Sequence, residues 1–262
     1  MTGNDVYIAQ SLLIRDDAVD NISTDGIFGQ KTEDATKAFQ GAHSLEKSGV
    51  IDEETAQLLL DLHMADGYKD SGFTAASMGY MYKLHVPVYY NRSVETKATL
   101  YDDSNNVLLQ FTVRAHGHRD DGSSAPWPDF GNGDVGLNEF TGSGNTVTGL
   151  WEIDLNSPEP DPDLYGPWPV NRFVRGLDGN ALVLAPSIRD GILLHTGNWA
   201  EAGWTPDETM PNSAGCLHGH PTDVEKVYEL LVDLGVTIND NPFSGKNYPY
   251  KPQGVAVVEL IE

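Results

Sequence analysis

Cys216 is the one cysteine in a chain of 262 residues, and its neighbours decide what kind of cysteine it is. An apolar run, Gly191-Ile192-Leu193-Leu194, delivers His195-Thr196-Gly197. With seventeen residues between His195 and Ser213, Ser213-Ala214-Gly215-Cys216-Leu217-His218 presents the thiol in a glycine-flanked turn. A thiol nucleophile needs a base brought close in space, an environment that eases loss of its proton, and backbone flexible enough to aim N–H groups at an oxyanion. This stretch carries residues of those types. Composition alone leaves two other fates open, a small buried hydrophobe or a metal ligand, and excludes only an internal disulfide.

A second chemistry is also written in the chain. His116-Gly117-His118 and His218-Gly219-His220 each put two imidazoles on one face if extended, and with His195 and a carboxylate they would make a zinc site. No His-Glu-x-x-His is present, and no carboxylate has diagnostic spacing to the pairs. The plain alternative is a set of strand or loop histidines near a cleft. His43, His63 and His85 have no chemical neighbours in sequence, and the carboxylates are scattered.

The elements that must position these residues fall into two textures. In residues 1–63, Val6, Ala9, Leu12 and Leu13 recur at helical spacing, Asp25-Gly26-Ile27-Phe28-Gly29 breaks the chain, and Ala35, Ala38 and Phe39 form a second stripe. A third helix begins near Asp52, its expected N-cap, and carries Ala56, Leu59 and Leu60. Residues 64–85 read as a linker or packed connector. Residues 86–262 read as a mainly β domain, with short strands at Ala98–Tyr101, Val107–Val113, Ala181–Leu184, Gly191–Leu194 and Val255–Ile261. One helix follows the cysteine, starting after Pro221, with an apolar face of Val224, Val227, Tyr228, Leu230, Leu231 and Leu234 and Gly235 placed to end it. The expected class is therefore multidomain α + β: a small three-helix bundle, then a β-sandwich-like domain. The polar stretches 120–145 and 156–169 are expected lids or binding loops, carrying Trp127 and Trp168.

The first segment resembles the three-helix peptidoglycan-binding domain through Gln10-Ser11-Leu12, Asp25-Gly26-Ile27-Phe28-Gly29, Thr32, Ala38-Phe39-Gln40, Gly49-Val50-Ile51-Asp52 and Thr55. The second resembles the L,D-transpeptidase (YkuD-like) catalytic domain, whose signature is a histidine followed after a loop by Ser/Thr-His-Gly-Cys and a hydrophobic residue. Thr146-Val147-Thr148-Gly149-Leu150-Trp151 is similar to that family's Thr-Pro-x-Gly-x-Phe segment. Two positions depart from the pattern: Ala214 stands where a second histidine is usual, and His218 where Arg or Asn is usual.

The resemblance implies Cys216 as nucleophile, His195 as base, Thr196 orienting the imidazole through its carbonyl, and Ser213 supporting the turn. It implies Gly215 and Cys216 amides as oxyanion donors, and substrate contacts from His218, Gly197, Trp151, Thr148 and Gly149. No cofactor or metal is implied. The substrate would be a peptidoglycan stem peptide, giving a cross-link if an amine resolves the thioester and carboxypeptidase or lytic hydrolase action if water does. A zinc wall peptidase and a non-catalytic wall-binding protein are the other classes carried forward.

The formal charge of -23, from 16 Lys+Arg against 39 Asp+Glu, repels polyphosphate and argues against nucleic acid as a partner. No apolar run approaches the roughly 20 residues needed to span a bilayer, so no transmembrane segment is expected. The start, MTGNDVYIAQ, has neither the basic nor the apolar part of a secretory signal. The resemblance nonetheless implies a cell-wall, periplasmic or extracellular location.

Overall fold

The computed structural model describes residues 1–262 except 21, 64–67, 118–138, 140–143, 186–188, 243–246 and 262. The chain divides into two compact units, Met1–Asp66 and Gly67–Glu262.

The first unit holds helices α1 (Asn4–Leu13), α2 (Gln30–Ala42) and α3 (Glu53–His63). Val6, Leu12, Leu13, Ala35, Phe39 and Leu59 are its buried apolar side chains; of the other expected stripe residues, Ala9, Ala56 and Leu60 are partly buried and Ala38 is exposed. Asp52 caps α3 by accepting from the Thr55 amide at 2.9 Å.

Two buried glutamines fix the loops between the helices, and they do it in the same way. Gln10 accepts from the Gly26 amide through Oε1 (2.8 Å) and donates through Nε2 to the Ile27 carbonyl (3.2 Å) and Thr32 Oγ1 (3.0 Å). Gln40 accepts from the Gly49 amide (2.9 Å) and donates to the Val50 carbonyl (2.9 Å) and Thr55 Oγ1 (3.0 Å). A side-chain amide carries both donors and acceptor, so one buried residue can satisfy a tight glycine turn and the helix that follows. Both glycines have positive φ, 69° and 73°, which their turns require.

The second unit is a closed eight-stranded barrel. Its strands are β1 (Tyr82–Tyr89), β2 (Thr96–Asp102), β3 (Val107–Arg114), β4 (Gly149–Asn156), β5 (Val170–Asp178), β6 (Leu193–His195), β7 (Leu217–Gly219) and β8 (Gly254–Ile261). The order around the barrel is β1-β2-β3-β7-β6-β5-β4-β8. The sandwich-like expectation is corrected here. The final strand β8 pairs in parallel with β1 over its whole length and antiparallel with β4, joining what would have been two sheet edges. Alternating hydrophobicity tells which face of a strand is buried but not which strands lie side by side.

A second correction concerns Ala181–Leu184, expected as a strand. It lies in helix α5 (Gly179–Leu184), which follows α4 (Pro162–Tyr165). Gly179 has φ 67°, Asp178 accepts from its amide at 2.7 Å, and the helix turns Ala181, Val183 and Leu184 inward. A short apolar run bounded by Asp-Gly fits either element, and the cap decides for helix.

The helix after the cysteine, α6 (Pro221–Asp233), buries Val224, Val227 and Leu231 and ends before Gly235, which has φ 87°. Gly219 lets α6 approach: a Cβ there would stand 3.0 Å from Val224 Cγ2. Before β1, Tyr68, Phe73 and Tyr80 pack on Ala75, Leu150, Val255 and Val257. The buried Lys83 joins this segment to the barrel through Asp70 Oδ2 and the Phe73 carbonyl, both at 2.9 Å. Among the described residues no helix is long and apolar enough to cross a membrane.

Candidate active site

The two shortest strands carry the chemistry. β6 and β7 run parallel, with Leu194 opposite Leu217 and His195 opposite His218. Side chains alternate along a strand, so Leu193 and His195 share a face, as do Cys216 and His218 on the adjoining strand. Cys216 is thereby set beside Leu193, packed with Val170 and Tyr165, and next along that face to the paired imidazoles.

The Cys216 thiol donates to the Gly191 carbonyl at 3.6 Å rather than to His195. Burial pushes it up to about 11, against a Leu193 amide and the Arg189 and Arg172 cations, all of which favour the thiolate. His195 Nδ1 lies 2.5 Å from the Thr196 carbonyl. A carbonyl can only accept, so the proton sits on Nδ1 and the lone pair on Nε2. Burial lowers this imidazole to about 4, so both groups rest in neutral form near pH 7.

Rings lock His195 in place. Tyr165 lies 5.0 Å away between centroids and His218 lies edge-on at 4.7 Å. His218 is held by the Pro211 carbonyl at 2.8 Å and covered by Trp199 at 4.8 Å. The end of α4 reaches Thr196 because Gly166 has no side chain: a Cβ there would meet Thr196 Cγ2 at 2.4 Å.

Ser213 closes the turn that carries Cys216. Its hydroxyl donates to the Cys216 carbonyl at 2.6 Å and accepts from the Gly215 amide at 3.0 Å. Thr146 Oγ1 also donates to the Cys216 carbonyl, at 3.2 Å. The Gly215 N–H, expected as an oxyanion donor, is thus committed to the turn in this conformation, since it donates to the Ser213 hydroxyl at 3.0 Å.

The structure brings together Cys216, His195, Thr196, Gly197, Ser213, Gly215 and His218. It does not bring Trp151, Thr148 or Gly149 to them as a lining. Trp151 is fully buried in the barrel, edge-on to Phe173 at 5.4 Å and bonded to the Val147 carbonyl. Gly149 is packed against Asp178 and Ala181. Thr148 donates its amide (2.9 Å) and hydroxyl (3.0 Å) to Glu139. These residues sit in strand β4 or its approach, and all three are buried there.

Sequence reading passed over the supports. Glu139 is fully buried and pairs with Arg92 at 2.8 Å; Asn180 of α5 donates to the same carboxylate at 3.1 Å. Tyr165, Trp199 and Arg189 were also missed. Only Tyr165-Gly166 carried a signal, a glycine stop in a loop otherwise read as open. Trp168 stacks on Tyr228 of α6 at 5.7 Å, while Trp127 and His118 lie outside the described residues. Among the described residues no three His, Cys, Asp or Glu side chains meet in a way that would hold a metal ion; His116 is buried with Nδ1 2.5 Å from the Gly117 carbonyl.

In the N-terminal unit, Val6, Ala9, Phe28, Val50 and Ile51 line a largely apolar pocket of about 320 Å³. Residues 2–59 match the family described as "Putative peptidoglycan binding domain". No curated protein matches the chain. Solved structures similar to it include an L,D-transpeptidase from Xylanimonas cellulosilytica, 16% identical over 99% of this chain and 94% of that one, with a TM-score of 0.32. Another is an L,D-transpeptidase from Stackebrandtia nassauensis, 16% identical over 95% and 94%, TM-score 0.34. A third is a fused Zn-dependent amidase/peptidase/peptidoglycan-binding protein from Clostridium acetobutylicum, 14% identical over 98% and 96%, TM-score 0.28.

Proposed function

We propose that this chain is a cell-wall enzyme of the L,D-transpeptidase type, with Cys216 as nucleophile and His195 as base, and that its N-terminal unit holds it to peptidoglycan. The observation that carries the reading is the pairing of β6 with β7. It sets the imidazole at the end of β6, with its lone pair on Nε2, beside β7, which begins directly after the thiol, so that His195 and Cys216 lie on neighbouring segments.

The thiol turns from the Gly191 carbonyl toward Nε2 and attacks the carbonyl carbon between an L,D-configured residue and a terminal D-alanine. A C–S bond forms as the S–H proton passes to Nε2. The tetrahedral intermediate collapses, the C–N bond breaks, and His195 returns the proton to the departing amine, leaving a thioester. An amine of a neighbouring stem peptide then attacks that carbonyl, the C–S bond breaks, and the amine's proton reaches sulfur through His195. Water in place of the amine gives a carboxypeptidase from the same groups.

Resting groups at about 11 and about 4 make a neutral pair, so proton transfer accompanies attack instead of preceding it. Excluding water from the buried thioester favours transfer over hydrolysis. The pocket of the N-terminal unit is the proposed contact with wall glycan or peptide, consistent with the matched family and with a place in the cell wall or periplasm.

Incubation with tetrapeptide muropeptides, read by mass spectrometry, tests this. Loss of D-alanine or a cross-linked dimer that disappears in Cys216→Ala and survives a chelator supports it. Turnover that survives Cys216→Ala, or that stops on chelation, defeats it.

A further inference from the structure

Buried behind the nucleophile turn is a cation that the reaction above does not use. The Arg189 guanidinium is 1% exposed. Its hydrogen bonds to described residues run to main-chain carbonyls: Nη2 to Gly144 at 3.0 Å, Nη1 to Asn145 at 3.1 Å, and Nη1 to Glu139. It lies directly against Gly215, where an added Cβ would fall 2.0 Å from Nη2 and 3.2 Å from Cζ. Position 215 therefore requires glycine twice over, for this contact and for its φ of 104°.

Arg189 makes no hydrogen bond to the nearby Glu139 carboxylate, although that carboxylate and then Cys216 both act on its charge through space. Both oxygens of Glu139 are taken elsewhere, Oε1 by Arg92 and Oε2 by Thr148 and Asn180. Two buried cations thus share one buried carboxylate. A guanidinium held only by neutral carbonyls costs solvation energy that an anion nearby would offset. The group one residue from Gly215 that can become an anion is the Cys216 thiol.

We propose that Arg189 is a positioning residue for the nucleophile, clamping the Gly144–Asn145 segment to Gly215 and supplying the fixed positive charge that favours the Cys216 thiolate. It compensates at long range for Ala214, which offers no charge beside the cysteine. The other charged or titratable groups around the thiol are His195 on β6, Tyr165 on α4, Arg172 on β5 and Glu159 before α4, the last opposing thiolate formation. Arg189 differs from them in bearing on the backbone of the turn itself. Helix α5 sets its place, since the Arg189 amide donates to the Leu184 carbonyl at 3.0 Å. This role rests on Cys216 being the nucleophile.

The test is the rate of iodoacetamide alkylation of Cys216 in the full chain across pH 6–11, with no wall substrate present. Arg189→Gln is expected to slow alkylation about tenfold at any pH below the thiol titration, and Arg189→Lys, which keeps the charge, to stay within about threefold of the wild type. Equal rates in wild type and a folded Arg189→Gln would overturn the proposal. If Arg189→Gln does not fold, Arg189→Lys decides: a wild-type profile supports the charge role, and a tenfold shift overturns it. Because no muropeptide is involved, failure of the transpeptidase reading and failure of this one give separate results.

Discussion

His195 Nδ1 is bonded to the carbonyl of its own neighbour, Thr196, at 2.5 Å. That bond leaves the lone pair on Nε2 and lets the backbone, together with the Tyr165 and His218 rings, orient the imidazole. His195→Gln keeps a comparable size but loses the base, and turnover of muropeptides is expected to fall by about 10²–10⁴-fold. Far-UV circular dichroism should stay unchanged, and the loss should fall on kcat more than on KM.

The same imidazole makes the barrel acid-sensitive. Its pKa is lowered in the folded state to about 4 from an ordinary 6.5, so between those values the unfolded chain binds the proton more readily. Stability from His195 is then complete above about pH 6.5 and is lost as pH falls through 4. The full effect is on the order of 3 kcal/mol. Urea unfolding of the wild type between pH 7 and 4 should show that loss, and His195→Gln should flatten the slope.

Glu139→Gln removes the carboxylate between Arg92, Thr148 and Asn180 and leaves a buried guanidinium unpaired. A cost of about 3–5 kcal/mol is expected, read as a lower denaturant midpoint of the barrel transition. The N-terminal unit should retain its own transition.

Gln10→Ala and Gln40→Ala should each destabilise the N-terminal unit by about 1–3 kcal/mol, since each strands a glycine amide and a threonine hydroxyl in the interior. Calorimetry of the full chain checks this, and binding to insoluble peptidoglycan should weaken in parallel while alkylation of Cys216 is unaffected.

Much of the molecule could be read before any coordinates. Much of the helix stripes in α1–α3, the Asp52 cap, the Gly235 stop after α6 and strands β2, β3, β6 and β8 follow from local spacing, because a helix or strand face repeats every few residues, whereas β1, β4, β5 and β7 were not foreseen. The two segments that the short motif singles out do lie side by side, β6 ending in His195 and β7 beginning directly after Cys216. The run at 181–184 was misread because four apolar residues have no period, and only the Asp178 cap and the Gly179 backbone choose helix.

What the sequence determined by itself is the inventory: one thiol, the strand that ends in His195, the glycine turn, and two glutamines followed by matched Gly and Thr positions. What only the tertiary structure decided is which groups share an environment. The barrel closes through β8, far in sequence from β1; Trp151 is buried against Phe173, Thr148 is tied to Glu139 and Gly149 packs on α5; and Arg189 comes to lie against Gly215. Those outcomes depend on contacts between distant segments and on burial, which sets the ionisation of each group, and no local pattern records either.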